Sequence, residues 1–119
     1  MMSTSLSRRA NKGNRQVLGR DITIQRTTLS GFRHYEAPRL WLALQPNALL
    51  TLQREHDNPH DSDAVALLWR GHKLGYLPQR ENLVVAHLLD KARSLSARIV
   101  RLAPDAERNA RIGIKVLMH

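Results

Sequence analysis

The sequence predicts a mainly β fold, a small OB-like barrel of about six short strands with one amphipathic helix, and three observations carry that expectation. From Asp21 onward apolar residues mostly recur at every second position; a single segment shifts to helical spacing; and 119 residues suffice for one modest core. Many short strands with one helix pack best as a closed or nearly closed barrel with the helix over one opening. A flat α+β sandwich is the alternative.

The first 20 residues hold Arg8, Arg9, Lys12, Arg15 and Arg20 and no acid, among Ser, Asn and Gly without apolar periodicity. This composition predicts a disordered basic arm at 1–20 ahead of a barrel domain at 21–119. Strand signals follow at Ile22 and Ile24, at Leu50 and Leu52, at Val65, Leu67 and Trp69, at Ala97 and Ile99, and at Ile112, Ile114 and Val116. Arg70-Gly71 between runs 65–69 and 73–77 predicts a hairpin. Gly75 inside the second run predicts a bulge or a close backbone approach. In 79–93, Val85, Leu88, Leu89 and Ala92 recur at helical spacing after Pro78, with Glu81 and Lys91 placed to suit the helix dipole. The irregular stretch 30–48 has room for an extra helical turn or short strand around Leu40-Trp41-Leu42.

Charge narrows the function. With 19 Lys and Arg against 10 Asp and Glu, the formal charge of +9 attracts polyanions. Nucleic acid is the expected partner rather than membrane, since no apolar run approaches the ~20 residues of a spanning helix and no basic helix carries an aromatic-rich opposite face. No cysteine is present, which excludes disulfides and thiolate metal sites, and the start lacks an apolar leader, so the expected location is cytoplasmic. A nucleophile elbow, a glycine-rich phosphate loop and a Cys/His pair are all missing, so the chain is read as a non-enzyme without cofactor.

Two clusters concentrate the reactive side chains. Gly31-Phe32-Arg33-His34-Tyr35 joins a guanidinium, an imidazole and a phenol, a set suited to phosphate pairing and base stacking. The alternative is that Phe32 and Tyr35 fill the barrel end. The second cluster, residues 53–63, is built around an Asn58-Pro59 turn. His56 and His60 with Asp57, Asp61 and Asp63 invite a metal reading, and Glu55 with these acids a magnesium-dependent nuclease; Pro59 blocks the helical i, i+4 ligand geometry that a frame of this spacing needs. The plainer reading is a polar loop whose Asp and Asn side chains satisfy local amides. A protein-interaction barrel is a further alternative.

The run Arg54-Glu55-x-x-Asn58-Pro59-x-Asp61-x-x-Ala64-Val65, followed by Leu74-Gly75-Tyr76-x-Pro78 and preceded by the Gly31 to Tyr35 stretch, resembles the HIRAN domain. The resemblance extends to the helix ending near Ala92. It implies an OB-like barrel that binds single-stranded DNA and captures a 3′-hydroxyl end, in repair or fork processing, alongside a helicase, ATPase or nuclease partner. The implied DNA-binding set is Arg33, His34, Tyr35, Asn58, His60, Asp61 and Lys73. Within it, Arg33, His34 and Tyr35 match an Arg-aromatic-Tyr stretch, His34 replacing the more usual aromatic. His60, where Tyr is common, and Asp61 match the pair that packs on the terminal nucleotide and meets its hydroxyl. Lys73 is placed as a phosphate contact. After Tyr76 the sequence has no Phe, Trp or Tyr, so a late aromatic of the family has no counterpart.

Overall fold

The computed structural model describes residues 21–119; the basic arm expected at 1–20 lies outside the described residues. The alternating runs become six strands: β1 (Ile22–Thr28), β2 (Leu49–Glu55), β3 (Ala64–Trp69), β4 (His72–Tyr76), β5 (Leu95–Leu102) and β6 (Ile112–Met118). They form one antiparallel sheet in the order β1-β6-β5-β2-β3-β4. Bulges interrupt pairing in β1 between Thr23 and Gln25 and in β5 between Ile99 and Arg101, and such irregularities bend a sheet and increase its twist.

The sheet curls until its edges meet beyond the end of β1. Ser30 N–H donates to the Tyr76 carbonyl at 2.8 Å and Tyr76 N–H returns a bond to Ser30 at 3.0 Å. One bridge pins the barrel, and the sheet is not closed along the rest of those edges. Gly75 permits this approach, because a Cβ there would run into the Ser30 carbonyl oxygen and stand 2.9 Å from Leu29 Cδ1. Both expectations for Gly75 are met, since the β3–β4 register also shifts, Leu67 pairing with Gly75 and Leu68 with Lys73.

The β3–β4 hairpin turns through Arg70 and Gly71, whose φ angles of 49° and 83° are both positive, as a two-residue turn matched to strand twist requires. The helical spacing of 79–93 resolves into less helix than its periodicity suggested. A 3-10 turn, Gln79–Glu81, follows Pro78, and the α-helix covers only Leu83–Asp90. Glu81 thus precedes the helix instead of complementing its first turn. Ala92, at φ 59°, has left the helix and is exposed, while Val85 and Ala86 supply the buried face. Segment 30–48 winds through a 3-10 turn (Phe32–His34), one helical turn (Ala37–Leu40) and a second 3-10 turn (Trp41–Ala43), its shape fixed by Phe32 packing edge-on against Trp41 at 5.7 Å.

Leu50, Val65, Leu67, Leu74, Ile99, Ile112, Ile114 and Val116 fill the interior, with Leu29, Phe32 and Val85 closing it. At the far end from the Ser30 bridge, Ser96 Oγ and His119 Nε2 share a hydrogen bond of 2.7 Å, and His119 Nδ1 bonds Asp21 Oδ1 at 2.7 Å. Ser96 sits on a regular rung opposite Leu117 and lines none of the clefts described below.

Candidate nucleic-acid interface

The Ser30–Tyr76 bridge brings the two predicted clusters together. A pocket of about 190 Å³ opens there, lined by Ser30, Tyr35, Asn58, His60, Asp61, Ala64, Tyr76, Leu77 and Gln79. Four of the seven expected binding residues, Tyr35, Asn58, His60 and Asp61, therefore share one cavity. Arg33 and His34 face elsewhere, into a larger cleft of about 610 Å³ that shares only Ser30 with the pocket.

Glu55 ties two lining residues of the pocket, Tyr76 and Asn58, to Lys73. Its Oε2 accepts from Lys73 Nζ at 2.7 Å, and its Oε1 accepts from the Tyr76 hydroxyl at 2.7 Å and from Asn58 Nδ2 at 3.1 Å. Burial alone would raise the Glu55 pKa; the bonds from Lys73, Tyr76 and Asn58 outweigh it and hold the carboxyl below its ordinary value of 4.5. The hydrogen bond to Glu55 raises the Lys73 pKa, so that ammonium stays charged, but Glu55 already matches its charge. Lys73 thus sits as a brace: its Nζ lies 5.0 Å from the Tyr76 ring centre and 5.5 Å from that of Tyr35. The two tyrosine rings meet edge to face at 5.4 Å, leaving Tyr35 40 % exposed.

The turn is braced as firmly. Asn58 Oδ1 accepts from the N–H groups of His60 (2.8 Å) and Asp61 (3.1 Å). Asp61 Oδ1 accepts from Asp63 N–H at 2.9 Å, and its Oδ2 from Nδ2 of Asn82, the buried side chain at the helix start, at 2.7 Å. The local-amide reading of this loop is therefore realised. Each Asp61 oxygen still has a second acceptor direction, so bracing leaves it able to receive a ligand hydroxyl. The acids of the turn diverge: Asp63 faces Arg54, Glu55 faces Lys73, and His56 bonds Asp90 at 2.6 Å. Among the described residues no three His, Asp or Glu side chains converge on a point, and no helix is long and apolar enough to cross a membrane.

Glu55 couples stability to pH. Its lowered pKa makes its contribution to stability fully present above the ordinary carboxylate value and lost as pH falls through the folded value. Between about pH 6 and pH 3 the melting temperature of the wild type should therefore drop more than that of Glu55→Gln, which has no such proton to bind. Parallel declines in scanning calorimetry would show that Glu55 does not hold the network.

The model of the HIRAN domain family matches residues 22–119. The chain belongs to the HIRAN domain family. HIRAN domains are nucleic-acid-binding modules. Among solved structures, a protein from Lactobacillus plantarum superposes on this HIRAN domain with a TM-score of 0.72 at 23 % identity, covering 82 % of this chain and 94 % of that one. The HIRAN domain of human HLTF superposes with a TM-score of 0.60 at 18 % identity, covering 82 % and 77 %. At such identities the likeness is one of fold. No curated protein matches the chain.

Glu55, Tyr76 and Asn82 brace the residues of the HIRAN pocket, and none of the three stands in the binding set that the resemblance implied. Tyr76 was legible only as part of Leu-Gly-Tyr, and the Asn82 contact to Asp61 spans 21 positions.

Proposed function

We propose that this HIRAN domain binds single-stranded DNA without catalysis and captures its 3′-hydroxyl end in the pocket of Tyr35, Asn58, His60 and Asp61, in repair or fork processing. One observation carries the reading: residues from two separate stretches meet where the barrel is pinned, an exposed ring beside a carboxylate. A ring stacks on any base, and a carboxylate is a pure acceptor that suits a terminal hydroxyl and repels phosphate. The positive charge of the chain supplies sequence-independent attraction.

The test is a titration of labelled linear single strands, duplexes with recessed ends and circular single strands. Linear strands should bind more tightly than circular ones of equal length; equal affinity would refute end capture, and no affinity would refute the binding reading itself. Tyr35→Ala should weaken binding to linear strands by about 1–3 kcal/mol, with the melting transition retained. A collapsed transition would instead mark Tyr35 as part of the core.

A further inference from the structure

The larger cleft collects basic side chains from distant parts of the chain. Arg33 and His34 come from the 3-10 turn after β1, whereas Arg108 and Arg111 come from the β5–β6 connection around its 3-10 turn, Arg108–Ala110. Arg111 is held in place: its Nε donates to the Ala106 carbonyl at 3.1 Å, and its guanidinium carbon lies 5.3 Å from the ring centre of buried Phe32. Arg33 and Arg108 are exposed and form no ion pair among the described residues. Glu107 is the one acid on the lining, so three fixed positive charges stand against one negative. A guanidinium presents a planar fork that matches phosphate oxygens, and three of them lining one cleft suit a chain of phosphates better than a single small anion.

We infer that this cleft is a second nucleic-acid site, in which Arg108 and Arg111, together with Arg33, hold the phosphodiesters of the nucleotides that precede the captured end. The inference rests on the single-strand reading above. Ser30 lines both cavities, so a strand leaving the terminal pocket passes directly into the cleft. The pocket then recognises the end, and the cleft supplies length-dependent affinity and fixes the direction in which the strand departs. The β5–β6 connection becomes a binding element.

The experiment measures affinity against salt for linear and circular single strands, using the full chain as wild type, Arg108→Ala, Arg108→Ala with Arg111→Gln, and Arg93→Ala, a control that removes the same charge but lines none of the clefts. Each lost phosphate contact should make the slope of log affinity on log salt shallower by about 0.7, hence about 1.4 for the double variant. Arg93→Ala should keep the wild-type slope. The preference for a 3′-hydroxyl over a 3′-phosphate should survive in Arg108→Ala, because the pocket is untouched. A slope for Arg108→Ala equal to that of Arg93→Ala would overturn the inference; Arg108 is exposed and unpaired among the described residues, so its loss does not endanger the fold. If wild type binds circular and linear strands alike, end capture fails, while a shallower Arg108→Ala slope on circles would still uphold the cleft.

Discussion

A 3′-phosphorylated oligonucleotide should bind this HIRAN domain roughly 10- to 100-fold less tightly than its 3′-hydroxyl twin, and Asp61→Asn should erase most of that difference. The magnitude follows from a charge-assisted hydrogen bond of about 1.5–3 kcal/mol, with like-charge repulsion adding to it when phosphate replaces the hydroxyl. Asp61 also holds Asp63 N–H and Asn82, and Asn has one oxygen where Asp has two, so the variant leaves one of those donors without its partner. Some loss of stability is therefore expected, about 1–3 kcal/mol. The decisive quantity is the ratio of the two affinities, measured by competition on folded protein, because it cancels any change common to both oligonucleotides. If the ratio is unchanged in the variant, Asp61 is a turn residue and nothing more.

Gly75→Ala should cost the largest share of stability of any single methyl added to this fold. The new Cβ would meet backbone at Ser30 and the side chain of fully buried Leu29, neither of which has anywhere to go without breaking the bridge. Overpacking of this kind costs about 1–3 kcal/mol, and separation of the pinned edges adds to it, so the melting temperature should fall by about 10 °C or more. Gly71→Ala supplies the contrast: φ is 83° there but nothing stands within 4 Å of a Cβ, so only backbone strain of roughly 1 kcal/mol is expected. Similar melting curves for the two variants would show that the Ser30–Tyr76 contact does not hold the barrel. Binding in Gly75→Ala should fall as well, since Ser30 lines both cavities.

The strands were legible because alternation at Val65 and Leu67 or at Ile112, Ile114 and Val116 directly reports a surface with one buried face. The helix was legible in place but not in length. Leu88, Leu89 and Ala92 kept helical spacing, yet the positive φ of Ala92 depends on how the chain must turn into β5, a tertiary demand with no local signature. The site divided in the same way. Tyr35, Asn58, His60 and Asp61 line one pocket although they come from two separate stretches, and Lys73 meets Glu55, a partner 18 residues away that only the β2–β3–β4 register brings alongside. The same register sets Glu55, already part of the Arg54-Glu55 run, beside the Tyr76 hydroxyl.

The bond between His119 and Asp21 sets the two ends of the described fold side by side. β1 then carries the chain away from Asp21 to Ser30, on the order of 25–30 Å if extended. Entry and exit thus share one pole and the ligand pockets occupy the other. A fold wired in this manner has the geometry of a cassette, its two ends joinable to each other or to a longer polypeptide at the pole away from the clefts.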